Sequence, residues 1–225
     1  MGDPDRSGDG RVEKGRQRRA KTRAAIIAAA FEIFGDENGL FARIEDVAEK
    51  AGVTRATFYN HFSSMIELRE ALTQEVTHDF LLRVTRTLNR LADARERSAV
   101  AIRLYLRRAR EDRRWGWSMM NMSASGAIFG SETYGQAERT VAEGMEEGVL
   151  AIPSAELGRD LLLGTTLAAM GSIVKGHMPD DYPELVAGYI LCGLGVDRAE
   201  ARRIAHLPLP DLAAAPADEA AAPFD

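Results

Sequence analysis

Apolar residues recur at three- and four-residue spacing along most of this chain, with no alternating strand pattern and no internal repeat. Ile26, Ile27, Ala30, Phe31 and Phe34 form one stripe, predicting a helix over about 17–38 that Gly39 ends. Ile44, Val47, Ala48 and Ala51 form a second, over about 44–50. Phe58 and Phe62 share one face of a third helix, for which Thr54 is a natural N-cap. Gly52 falls between the last two, where a left-handed backbone must close a helix end, and Val53 can fill the space where they cross. A long helix follows from Ser64 to about Leu91. Further helices are expected at about 96–112, 115–125, 132–148, 154–177, 183–194 and 197–206, with breaks at Gly116, Gly130, Pro153, Pro179 and Pro183. The predicted class is all-α.

Residues 44–62, IEDVAEKAGVTRATFYNHF, therefore read as two helices crossed about a glycine turn. That is the form of a DNA-reading helix-turn-helix, whose second helix enters a major groove. With Phe58 and Phe62 inward, Arg55, Ala56, Thr57, Tyr59, Asn60 and His61 are left facing outward. Arg55 can reach guanine O6 and N7 or a phosphate, and Ala56 permits close approach. Thr54, Thr57, Tyr59 and His61 carry groups suited to phosphate oxygens. An ordinary helical hairpin with a solvated face shows the same bare pattern.

The longer string is more specific. TRAAIIAAAFEIFGDENG followed by AGVTRATFYNHF resembles the N-terminal domain of the TetR family of transcriptional regulators, from about Thr22 to Leu68. The resemblance implies a three-helix DNA-binding head with a helix-turn-helix, joined by a long helix to a helical ligand-binding and dimerisation domain. It implies Thr54, Arg55, Ala56, Thr57, Tyr59, Asn60 and His61 as DNA contacts. Arg55, Ala56 and Thr57 would lie nearest the bases, and Thr54, Tyr59 and His61 on phosphates. Two positions depart from the family pattern. Arg43 stands where a capping Ser or Thr is usual; arginine offers no acceptor oxygen, so the helix start can lean on Asp46 instead, and Arg43 can itself touch phosphate. Met65 replaces a lysine and removes a cationic phosphate contact. Both bear on affinity more than on the core.

The expected division is a disordered arm at 1–15, a helix-turn-helix DNA-binding domain at 16–63, a helical effector-binding and dimerisation domain at 64–206 and a flexible Pro-, Ala- and acid-rich tail at 207–225. A length of 225 residues gives both domains ample core. With 29 basic and 34 acidic residues, the net charge of −5 argues against non-specific nucleic-acid binding by the whole molecule. The charge is uneven, however. Arg11, Lys14, Arg16, Arg18, Arg19, Lys21 and Arg23 are opposed only by Glu13. That stretch is either a solvated basic tail or an arm for the phosphate backbone or a minor groove. The single cysteine, Cys192, excludes an intramolecular disulfide and reads as a small buried hydrophobe. No signal segment is visible, and the uncharged run Leu161 to Val174 is short for a bilayer span. A soluble, cytoplasmic protein without a membrane partner is expected.

Helix 154–177 carries apolar and small residues around much of its circumference, with Gly164, Ala168 and Gly171 open to a close neighbour, and helix 183–194 is similarly apolar. Either both are buried within one subunit or, as the resemblance implies, they pair with their copies in a C2 homodimer. Such a dimer would read a pseudo-palindromic operator in double-stranded DNA, and a small-molecule effector would change the spacing of the heads. Aromatic and methionine side chains concentrate at Trp115, Trp117, Met119, Met120, Phe129 and Tyr134, with Arg103, Arg107, Asn121 and His177 as polar anchors. This set reads either as core or as the pocket of a mostly apolar or aromatic effector. No cofactor is implied. His61, His78, His177 and His206 are scattered, and there is no HExxH, GxSxG, GxxxxGK[ST] or CxxC, so an enzyme is not expected. The expected function is a ligand-responsive repressor. The alternative is a helix-turn-helix protein without an effector, whose C-terminal domain only dimerises or meets another protein.

Overall fold

The structure, a computed structural model, describes residues 6–123, 129–176 and 178–214. Regular structure among them is helical throughout. The head contains α1 (Arg6–Phe34), a 3-10 turn (Gly39–Phe41), α2 (Ile44–Lys50) and α3 (Arg55–Tyr59). The long helix α4 (Met65–Leu88) leads into the body, built from α5 (Ala94–Glu111), α6 (Arg113–Ser123), α7 (Ser131–Glu146), α8 (Ala155–Lys175), α9 (Tyr182–Gly193) and α10 (Arg198–Ala205). Ser64, Asp93, Ser154 and Asp197 each accept a first-turn backbone N–H, which fixes where α4, α5, α8 and α10 begin.

The two ends of the chain differ from the sequence expectation. α1 starts at Arg6, so the basic stretch is helical where a disordered arm was expected. Glu13 supports it locally, accepting from Gln17 at 3.2 Å and pairing with Arg16 at 3.3 Å. At the other end, residues 207–214 are not a free tail but a strap. Arg103 donates to Leu207 O at 2.8 Å, the Ala213 N–H donates to Thr87 Oγ1 at 2.9 Å, and Arg83 Nε donates to Ala213 O at 2.9 Å. The strap thus ties α5 to α4. Composition suggested flexibility, but Pro208 and Pro210 pre-set an extended backbone that loses little entropy on docking.

In the head, Ile26, Ile27, Ala30 and Phe34 of α1 pack with Val47, Ala48, Phe58 and Phe62, and Leu68 and Leu72 of α4 close the same core. Further along α4, Phe80, Leu81, Val84 and Leu88 are buried in the body. One helix therefore belongs to both cores, and any movement of it is felt by both. α5 lies at the centre of the body, packed by α6, α7, α8 and α9. A second link joins head to body. The amide of Asn121 on α6 donates to Phe34 O at 2.8 Å and to Asp36 O at 2.9 Å, at the end of α1. Gly39 makes room for it, since a Cβ there would lie 2.5 Å from Ile33 O and 2.8 Å from Asn121 Nδ2.

α8 and α9 each keep an outward face. On α8 it comprises Leu157, Leu161, Gly164, Thr165, Ala168 and Ser172; on α9, Leu185, Gly188, Tyr189, Cys192 and Gly193. Cys192, expected to be buried, is partly exposed on this face. By length and composition alone α8 could cross a membrane, and half of its apolar stretch is buried in the body.

Candidate nucleic-acid interface and effector cavity

α2 and α3 are set by the turn between them. Gly52 has φ +67°, the Gly52 N–H donates to Glu49 O at 3.0 Å, and the Val53 N–H donates to Ala48 O at 2.9 Å. This double closure caps the C-terminus of α2 and reverses the chain sharply. Thr54 then caps α3, its Oγ1 accepting the Thr57 N–H at 3.1 Å. At the start of α2 the Arg43 N–H donates to Asp46 Oδ2 at 2.7 Å, so Asp46 supplies the oxygen that Arg43 lacks. Phe58 and Phe62, 5.8 Å apart between ring centroids, anchor the pair to the core.

With that face buried, Arg43, Thr54, Arg55, Ala56, Tyr59 and Asn60 are exposed, while Thr57 and His61 are half-buried at the edge. Arg55 pairs with Glu45 at 2.8 Å, donates to the Tyr59 hydroxyl at 3.3 Å, and its guanidinium stands 5.6 Å from the Tyr59 ring centre. The Tyr59 hydrogen bond and then Glu45 hold the Arg55 proton more firmly than usual. The Glu45 pair is exposed to solvent and screened, so it orients Arg55 without fixing it in place.

Beside the end of α3 lies a groove that sequence reasoning did not locate. Arg18, Arg19 and Thr22 of α1 face Asn60 and His61 across it, and Arg19 donates to Asn60 O at 3.2 Å. No carboxylate lines it among the described residues. His61 is held below its ordinary pKa by burial first, then by the charges of Arg19 and Arg23. Arg23 is paired with Glu75 at 3.5 Å, but Arg18 and Arg19 line the groove with no carboxylate among its lining residues, a setting that suits an anion such as a phosphate.

The body contains a small, partly open cavity of about 50 Å³ and a larger cleft of about 590 Å³. Leu81, Val84 and Leu88 of α4 wall the cavity with Ile102 and Tyr105 of α5 and Phe129. Thr133, Thr140, Thr166 and Ser98 add hydroxyls. Those of Thr140, Thr166 and Ser98 donate back to their own helices, which leaves lone pairs free to accept. The Tyr105 hydroxyl lies 3.1 Å from Thr133 Oγ1, and burial pushes its pKa up to about 12, so it stays protonated. Phe129 takes φ +60° at the cavity wall, a costly conformation for a side chain of that size.

The residues expected to hold an effector do not converge on one place. Phe129 lines the cavity, while Arg107 and Trp115 line the cleft. Arg103 is buried against Glu184 at 3.0 Å, and Arg107 reaches the same carboxylate at 2.8 Å. Burial pushes Glu184 up, but Arg107, a backbone hydrogen bond and Arg103 outweigh it and hold the carboxyl below its usual value. Trp117 and Met119 are core, Met120 packs on Gly171, Asn121 braces the head, and Tyr134 lies under the Arg159 guanidinium. His177 lies outside the described residues. The cavity hydroxyls were missed, although a Ser or Thr at an otherwise apolar helix position was the available signal.

Residues 26–72 match the family described as bacterial regulatory proteins, tetR family, and residues 93–207 match the tetracyclin repressor-like C-terminal domain. The HTH-type transcriptional activator FasR of Mycolicibacterium smegmatis is 30% identical over 106 residues, covering 45% of this chain and 48% of FasR. The HTH-type transcriptional regulator TtgR of Pseudomonas putida is 38% identical over 76 residues, 33% of this chain and 36% of TtgR. The chain thus matches less than half the length of these curated relatives. Among solved structures, RolR in complex with resorcinol superposes with a TM-score of 0.71 at 28% identity, covering 88% of this chain and 100% of that one. FadR from Bacillus subtilis in complex with stearoyl-CoA superposes at 0.58 with 20% identity over 76% of this chain and 96% of that one, a likeness of fold alone.

Proposed function

The chain belongs to the TetR family of bacterial regulatory proteins, and on that footing we propose that it is a cytoplasmic homodimeric repressor of a pseudo-palindromic operator, released by a small aromatic or apolar effector. The observation that carries the DNA-binding reading is the exposed face of α3 beside a cationic groove without carboxylates. Arg55, Ala56 and Thr57 meet base edges. Arg43, Thr54, Tyr59, Asn60 and His61 meet the backbone. The small and apolar outward faces of α8 and α9 pair with their copies, placing two heads about one helical turn of DNA apart, roughly 34–36 Å.

Effector control follows from the double membership of α4. A molecule wedged between α4 and α5 favours one placement of α4, and it shifts the heads only in so far as it binds that placement more tightly. The solved complex of RolR with resorcinol supports an aromatic effector. One observation favours the alternative, a regulator without an effector. The small cavity against α4 and α5, about 50 Å³, is well below the roughly 150 Å³ of an engineered cavity that takes benzene. A thermal shift with aromatic compounds separates the two, because a ligand of the native state raises its melting temperature.

The primary test is selection of genomic DNA by the purified protein at a salt concentration that suppresses phosphate-only binding. One pseudo-palindromic motif is the expected result. Folded protein that recovers no motif would sink the reading. FasR is named as an activator, so the sign of regulation needs its own assay. Deleting the gene should raise a reporter behind the operator, and a fall would mean activation.

A further inference from the structure

The cleft of about 590 Å³ lies between α4, α5 and the strap 207–214, and its size falls within the roughly 300–1,000 Å³ of small-molecule sites. Phe80, Leu104 and Trp115 form an apolar floor, roofed by Leu209 and Leu212 of the strap. The Phe80 and Trp115 rings meet edge to face with centroids 5.2 Å apart, and the Arg108 guanidinium stands 5.9 Å from the Trp115 ring centre. The cleft shares no lining residue with the small cavity. Tyr105 stands between them, its ring centroid 5.1 Å from Phe80 on the cleft side and 5.0 Å from Phe129 on the cavity side.

The charges around the cleft balance. Arg83, Arg107 and Arg108 line it opposite Asp79, Glu111 and Asp211; Arg107 is also paired with Glu184 and Arg108 with Asp112, so the guanidinium hydrogens left over are the donors and the carboxylates the acceptors. An anionic occupant would meet the three carboxylates and a cationic one the three guanidiniums, so an uncharged molecule is favoured. It must accept from arginine and donate to carboxylate, and a hydroxyl is a small group that does both. A flat apolar floor calls for a ring. The floor also holds an unmet donor, for the buried indole N–H of Trp115 has no partner among the described residues. A buried donor left without an acceptor is costly, and since solvent does not reach this one, an oxygen of the occupant recovers that cost only where binding opens the floor around Trp115.

We propose that this cleft is a ligand site in its own right, closed by the strap over a small uncharged aromatic molecule bearing hydroxyl groups. The proposal rests on the effector reading above and gives it a place and a chemical class. The strap is anchored to α4 by Thr87 and Arg83 and to α5 by Arg103. An occupant touching Phe80, Leu104 and Leu212 therefore fixes the gap between the helix that carries the head and the helix at the centre of the body.

The test is calorimetric titration of the full chain with resorcinol and, separately, with benzoate. Three variants accompany it: Leu212→Asp in the roof, Thr87→Val at the strap anchor, and Ala101→Leu, which fills the small cavity instead. Resorcinol should bind once per protomer, with benzoate weaker by about tenfold or more. Leu212→Asp and Thr87→Val should each weaken resorcinol by about fivefold or more, while Ala101→Leu stays within about twofold. Loss of binding in Ala101→Leu alone would put the ring in the small cavity and overturn the proposal. Tighter benzoate would overturn the chemical class, and no heat with either compound would overturn the site. Operator binding is measured on the same preparations, so failure of the DNA-binding reading is seen separately.

Discussion

Replacing Asn121 with Ala tests whether head and body are joined as described. Asn121 is 5% exposed, and its amide donates to Phe34 O at 2.8 Å and Asp36 O at 2.9 Å. These carbonyls end α1, where the helix has no donors of its own left to offer. They do not lose equally. Asp36 O also receives the Gly39 N–H at 3.0 Å, so the variant costs it one ordinary hydrogen bond, about 0.5–1.5 kcal/mol. Phe34 O is left buried with no other donor shown, at about 1–3 kcal/mol. Together these give about 1.5–4.5 kcal/mol, which lowers the melting temperature of a chain this size by about 3–18 °C. Scanning calorimetry without ligand reads the shift directly, and effector titration on the same variant reads coupling. A melting temperature changed by less than about 1 °C, with effector affinity reduced, would show that Asn121 contacts ligand and braces nothing.

Arg55→Ala should cost about 1–3 kcal/mol at the operator and relax one position per half-site, by competition binding; equal losses on operator and random DNA would refute base reading. Phe58 is wholly buried, and Phe58→Ala should cost roughly 3–5 kcal/mol, seen in urea melts as early loss of the head; an unchanged midpoint would contradict the packing described. His61 is held below its ordinary value of 6.5 by burial, Arg19 and Arg23, so in the free protein it is neutral near neutral pH. Its folded pKa is depressed, so the stability this confers is full above the unfolded value and is lost as pH falls through the folded one. A phosphate in the groove offsets the two arginines and favours protonation. Operator affinity should therefore rise from about pH 7.5 to about pH 5.5, by at most about tenfold per unit per protomer. His61→Gln should flatten that rise, and an equal slope in the variant would refute the groove as a phosphate site.

The head was legible because its signals are local and redundant. Gly52 must turn, Thr54 must cap, and Phe58 and Phe62 share a face, so one stretch fixes both the fold and the outward residues. Even the missing cap at Arg43 pointed to Asp46, which the structure bears out. The body was legible as helices but not as a site. Trp117 and Met119 have the same composition whether they line a void or fill one, and only the packing of α6 against the rest decides. Arg103 reads as a ligand anchor from sequence because its partner Glu184 lies 81 positions away. The strap was missed for the same reason, since nothing within 207–214 announces Thr87 as its acceptor.

That separation along the chain has a consequence in time. Thr87 and Ala213 are 126 positions apart. At synthesis rates of about 5–20 residues per second, Thr87 is made roughly 6–25 s before its partner exists. The helix that carries the head is thus complete, and packed against both the head core and α5, long before the strap can tie its far end. The strap's contacts are the last to form, so a polypeptide lacking residues 207–214 can fold both units, keep the Asn121 brace, and still lack the tie between α4 and α5.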